Sequence, residues 1–160
     1  WDGLGLSWQT LFRTTDKSVV EGYCRKALMD FQWKAGDGLI TRQVRPAVIK
    51  HPRTGEVSWF NQIQHWHIAC LEPAVRKSLT SQFQEEDLPR HAYYGDGTPI
   101  EDSVMEGILE VYRQLEVCFP WQANDILMVD NILTAHGRNP FVGERKLLVS
   151  MAEMLSYTDV

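Results

Sequence analysis

The feature that most limits what this chain can fold into lies near its end. Two apolar runs with strand character, Ile126-Leu127-Met128-Val129 and residues 146–154, flank the polar, glycine-punctuated segment 130–145. A strand cannot stand alone, because its N–H and C=O groups need partners. The simplest pairing is antiparallel around the loop at 139–143. Residues placed symmetrically about that loop then share a face, so His136 and Arg145 both point inward. A neutral imidazole can ligate a metal, and a guanidinium offers a planar fork to a carboxylate. Together they suit a metal that also holds an organic dicarboxylate. Chemistry alone leaves a second reading open, since a His near a turn is commonly a surface group or a satisfied hydrogen-bonding group.

Upstream, helices and strands alternate. Asp16 is placed to cap a helix running to about Met29, with Val19, Val20, Tyr23 and Ala27 near one face. Asp37-Gly38 reads as a turn, and residues 39–50 read as extended with a break at Pro46. The run His51-Pro52-Arg53-Thr54-Gly55-Glu56 reads as a turn leading into a strand at 57–61. Pro73 suits the first turn of a helix reaching about Gln84. Residues 89–99 form a loop with turn chemistry at Gly95-Asp96-Gly97. Ser103 with Glu106 has the spacing of a capping box, ahead of an apolar face of Val104, Ile108, Leu109, Val111, Tyr112 and Leu115.

Composition narrows the function classes. The 160 residues suffice for one domain with a core, and 44% hydrophobic with 23% charged residues is ordinary for a globular chain. A net charge of −5 argues against nucleic-acid and membrane-surface partners, which select for excess Lys and Arg. No apolar run approaches the roughly 18 residues of a membrane span. The three cysteines, Cys24, Cys70 and Cys118, are scattered and form no CxxC pair, so neither a zinc knuckle nor a disulfide framework is expected. A reducing, cytoplasmic setting is the expectation. The start at Trp1, in an aromatic and glycine-rich run, does not resemble a native terminus, and residues upstream are expected.

Several motifs converge on one family. Asp130-Asn131, then Ala135-His136-Gly137-Arg138, Pro140-Phe141, Gly143 and Arg145 resemble the C-terminal signature of the taurine dioxygenase (TauD/TfdA-like) superfamily of Fe(II)/2-oxoglutarate-dependent dioxygenases. His51-Pro52, Thr54-Gly55-Glu56 and Trp59-Phe60-Asn61-Gln62 resemble its preceding strand pair. Tyr94-Gly95-Asp96-Gly97 and Phe119-Pro120-Trp121-Gln122 are similar to its SyrP-like branch, which includes hydroxylases of amino acids in nonribosomal peptide biosynthesis. The likeness runs from about Trp8 to Met151.

The resemblance implies an α+β chain with a mainly β core: a double-stranded β-helix, or jelly roll, with helical insertions, incomplete within this chain. It implies Fe(II) held by two His and a carboxylate, with 2-oxoglutarate and molecular oxygen in the remaining positions. It places the distal iron ligand at His136 and the cosubstrate clamp at Arg145, with Arg138 a weaker cosubstrate candidate. Asp130 and Asn131 are expected to brace the turn. Asn61, His65 and His67 are candidates for lining the substrate pocket; for the two His, which share a face on a strand, simple packing is the alternative and metal binding the least favoured reading. A sulfonate substrate is not expected, because Val149 stands where taurine dioxygenases carry a second Arg.

One departure is large. The family's other two ligands come from His-x-Asp or His-x-Glu, yet the residues two after each His here are Arg53, His67, Ala69, Tyr93 and Arg138. The simplest account is that the chain is the C-terminal portion of one dioxygenase domain, inactive alone, with the N-terminal part and its metal motif absent. The expected function is hydroxylation of an amino acid or a carrier-protein-bound aminoacyl group, in antibiotic or other secondary metabolism. The competing expectation is a noncatalytic binding or scaffold module that keeps the barrel without the metal.

Overall fold

In the computed structural model, which describes residues 6–153 and 155, Asp16 caps a helix as expected: its carboxylate accepts from the Ser18 N–H at 2.8 Å. That helix, α2 (Lys17–Lys26), follows a short α1 (Trp8–Phe12) capped by Ser7. It stops before Met29 because Leu28 turns left-handed, with φ 52°. Its buried face is Val20 and Cys24, one turn apart, whereas Val19 and Tyr23 are exposed.

The chain then forms β1 (Asp30–Trp33) and β2 (Leu39–Arg42), an antiparallel pair with Trp33 opposite Leu39. Gly36 and Asp37, both at positive φ, make the tight turn that the Asp37-Gly38 pair announced. Trp8, Val20 and Cys24 form a core against Phe12, Met29, Phe31, Trp33 and Leu39. The Trp8 and Trp33 rings meet edge to face at 5.2 Å, and the Trp8 indole N–H donates to the Asp37 carbonyl at 2.9 Å.

Two further helices belong to the same unit, which comprises Trp1–Arg45 and Gln62–Val117. α3 (Pro73–Gln82) starts on Pro73 as expected, and α4 (Asp102–Leu115) packs on 3₁₀ turns at Ile63–His65 and Ile68–Cys70. Ser103 is not the cap of α4. Glu101 is, without a side-chain cap bond, so Ser103 lies inside the first turn, where its hydroxyl has passed the capping position. The buried stripe of α4 is centred on Met105, flanked by half-buried Ile108, Leu109 and Tyr112; Val104, Val111 and Leu115 are exposed.

The second unit comprises Pro46–Asn61 and Cys118–Val160. It holds one hairpin, β3 (Val48–Lys50) and β4 (Val57–Trp59), with Ile49 opposite Ser58. The extended stretch expected at 39–50 is therefore two strands in two sheets, broken near Pro46. Gly55, at φ 77°, lets the turn close so that the His51 N–H reaches the Glu56 carbonyl at 2.7 Å.

The strands expected at 126–129 and 146–151 do not form a ladder, and among the described residues no strand follows β4. Met154, in the last expected strand, and residues 1–5 of the aromatic start lie outside the described residues. The period-two pattern itself survives at 126–129. Ile126 and Met128 are 93% and 92% exposed, while Leu127 and Val129 are 49% and 39% exposed. Alternation records which face would be covered, but a ladder also needs a strand paired with it, and among the described residues none pairs with 126–129. Among the described residues, two small sheets give an α+β structure without a closed barrel.

Candidate functional site

The candidate residues at 130–145 are approached through the β3–β4 hairpin. His51 follows β3 and is 6% exposed. Its Nδ1 accepts from the Arg53 and Thr54 N–H groups at 3.2 and 3.0 Å, which holds the tight turn. Its Nε2 lies 3.0 Å from Asp130 Oδ2. With Nδ1 accepting, the ring proton sits on Nε2 and donates to Asp130.

Asp130 braces its own turn as expected. Oδ1 accepts from the Ile132 and Leu133 N–H groups at 3.0 and 3.3 Å, and its carbonyl accepts from the Thr134 N–H at 3.0 Å. These backbone donors, Ile132 first, together with the His51 ring, hold the Asp130 carboxyl below its usual range, against the opposing effect of partial burial. Ser58, in β4, donates to the Ile132 carbonyl at 2.8 Å. The turn delivers the chain to Ala135 and His136.

His136 is exposed, and no hydrogen bond engages its ring among the described residues. Arg145 is also exposed and lies over the Phe141 ring at 4.0 Å, a cation–π contact across the turn at Gly143, where φ is 97°. Neither Arg145 nor Arg138 forms an ion pair among the described residues, so Glu144 does not neutralise Arg145. The expected cross-strand meeting of His136 and Arg145 is not formed, because it required the absent ladder. Asn61 is half-buried beyond the end of β4.

His65 and His67 part company within the other unit. His65 is exposed, whereas His67 is 3% exposed and lies against His91 with ring centroids 4.7 Å apart. His91 in turn meets Tyr93 edge to face at 4.7 Å. Burial is the main cause that pushes both His pKa values down, and mutual repulsion adds to it at His67, so neutral rings are favoured. His91 Nδ1 and Gln64 Oε1 are buried without a hydrogen-bond partner among the described residues.

Sequence reasoning did not find the His67–His91–Tyr93 stack, in which His67 meets the separate stretch carrying His91 and Tyr93, with no shared motif. It also placed His51 in a turn without its link to Asp130. No group of three or more His, Cys, Asp or Glu among the described residues is gathered to hold a metal ion. The donor set suits one imidazole ligand and one carboxylate clamp, and does not make a complete three-ligand site.

Comparisons with known proteins agree with the motif reading. The family described as taurine catabolism dioxygenase TauD, TfdA family matches residues 7–151. The dapdiamide synthesis protein DdaC of Enterobacter agglomerans is 43% identical over 151 residues, which is 94% of this chain and 46% of the relative. A clavaminate synthase-like protein of Arabidopsis thaliana is 26% identical over 152 residues, 94% of this chain and 42% of the relative. The chain thus spans less than half the length of both relatives.

Proposed function

This chain belongs to the TauD, TfdA dioxygenase family, and we propose that it forms the C-terminal portion of an Fe(II)/2-oxoglutarate-dependent oxygenase with a jelly-roll core. The remainder of the domain supplies the other two iron ligands and the strands that pair with 126–129 and 146–151. The coverage of the two relatives, 46% and 42% of their lengths, supports this reading.

Bound iron with 2-oxoglutarate and oxygen supplies oxidation of an unactivated C–H bond. This chain contributes the imidazole of His136 as a ligand and the guanidinium of Arg145 as the clamp on the cosubstrate's distal carboxylate. The observation that carries the reading is Arg145 itself: a cation stacked on Phe141 with no anionic partner among the described residues. The ring limits the rotamers of the guanidinium, and the planar fork then meets a carboxylate through two parallel hydrogen bonds. Arg138 is a secondary donor on the same loop.

The substrate class proposed is an amino acid or an aminoacyl group tethered to a carrier protein, hydroxylated in antibiotic or related secondary metabolism in the cytoplasm. The name of the bacterial relative, which assigns that protein to dapdiamide synthesis, supports a biosynthetic role. Asn61 is proposed to line the pocket for this substrate, and simple packing is proposed for His67, which is buried against His91. Among the described residues no helix is long and apolar enough to cross a membrane.

The test is His136→Ala in the full-length protein. Loss of Mn(II) binding together with loss of 2-oxoglutarate-dependent turnover is expected, and unchanged metal binding with unchanged turnover would refute the assignment.

A further inference from the structure

We propose that His51, Asp130 and Ser58 form a latch that positions His136, so that the hairpin at 48–59 sets the geometry of the metal ligand. The proposal rests on the reading of His136 as a ligand and adds positioning residues to it.

The latch has two contacts on the same stretch of backbone. His51 Nε2 donates to Asp130 Oδ2 at 3.0 Å, and Ser58 Oγ donates to the Ile132 carbonyl at 2.8 Å. Both reach the turn that ends at Thr134, two residues before His136. Residues 118–153 carry no ladder among those described, so these side-chain bonds tie this part of the chain to a formed sheet. A ligand on an otherwise extended segment is only as well placed as the anchor that precedes it.

The chemistry of the contact is directional. The two N–H groups aimed at Nδ1 leave His51 no alternative tautomer, so its outer nitrogen must donate. The partner must therefore be an acceptor on the side facing His51 and also on the side facing its own turn. A carboxylate satisfies both demands, with Oδ1 taking the Ile132 and Leu133 N–H groups and Oδ2 taking the ring. A neutral amide satisfies one only, because its –NH₂ would oppose a donor whichever way it turns. His51 is buried while the Asp130 side chain is 46% exposed, so the contact orients without isolating a charge.

A merely structural role predicts a different outcome, and two substitutions separate the two. Asp130→Asn keeps an oxygen for its own turn and opposes the His51 N–H with an amide donor. His51→Asn keeps an oxygen near the Nδ1 position for the hairpin turn and cannot reach Asp130. Each leaves its local turn supported while cutting the link between them.

The experiment titrates the full-length protein with Mn(II) and records the thermal midpoint of each variant alongside. Both single variants are expected to lose about 10- to 100-fold in Mn(II) affinity, the loss typical when a group orienting a ligand is removed. The double variant should lose no more than either single one, since both cut the same bond. Unchanged Mn(II) affinity with a lowered thermal midpoint would overturn the latch and leave a structural pair. Additive losses would overturn it as well, by showing that the residues act separately. His136→Ala is the control. If it binds Mn(II) as the parent does, the ligand assignment itself fails. If it loses Mn(II) while the latch variants do not, the assignment stands and the latch falls.

Discussion

The hairpin at 48–59 and the segment at 126–151 were both legible as strands, yet only the first forms one. The difference lies in where each finds its partner. In the hairpin, His51 and Gly55 close a turn that brings Val57 back onto Lys50, so the ladder is made from residues close in sequence. In the later segment the alternation of Leu127 and Val129 against Ile126 and Met128 is present, but no neighbouring strand meets it among the described residues. A local turn specifies its own partner, whereas a core strand of a larger sheet specifies only a face.

The largest expected contrast is between packed and unpacked apolar side chains. Leu79, 2% exposed, should cost about 2–5 kcal/mol when replaced by Ala. Met128, 92% exposed, should cost no more than about 0.5 kcal/mol on the same replacement in this chain. Urea denaturation of the two variants measures both. Equal costs would mean that the segment around Met128 is packed after all.

Turn glycines sharpen the comparison at a smaller scale. Gly55 is at φ 77°, where a Cβ is strained, and Gly55→Ala should cost about 1–2 kcal/mol and weaken amide-exchange protection at His51. Gly137 has open space around it and no positive φ, so Gly137→Ala should leave stability near that of the parent. If Gly137→Ala is the more damaging, the loop carrying His136 is more constrained than its exposure indicates.

How much of this could be read beforehand depends on the range of the interaction. Asp16 and Pro73 announced their helices because capping and the missing N–H act within one turn. Ser103 misled because a capping-box spacing does not say which residue is the last outside the helix. The strand at Asp30–Trp33 was missed, since four residues carry too little periodicity to be separated from a helix end. The motif singled out His136 and Arg145 as candidates, and the brace at Asp130 was legible in the same segment. The bond between His51 and Asp130 was not, because it joins positions 79 apart that share no periodicity.

The smallest expected effect is a pH dependence in the helical unit. His67 and His91 have folded-state pKa values below the ordinary His value, chiefly through burial. The unfolded chain therefore binds protons first as the pH falls. The stability they contribute is present above about pH 6.5 and is lost as pH falls from there through the lower folded values. Thermal midpoints between pH 7.5 and 5 should decline, and His67→Phe should flatten that decline. A parent protein with a flat profile across this range would argue that the stacked rings titrate as if solvated.

The central claim is that the loop at 136–145 belongs to a cosubstrate site, and Arg145→Lys tests it most directly. Lys keeps the charge and loses the planar fork. Losing one charge-assisted contact is worth roughly 1.5–3 kcal/mol, or about 10- to 150-fold in affinity. A calorimetric titration of 2-oxoglutarate into the Mn(II)-loaded full-length protein should therefore show binding weakened by that factor in the Arg145→Lys variant, with the thermal midpoint nearly unchanged. A titration curve identical to that of the parent would contradict the account and leave Arg145 as a surface cation resting on Phe141.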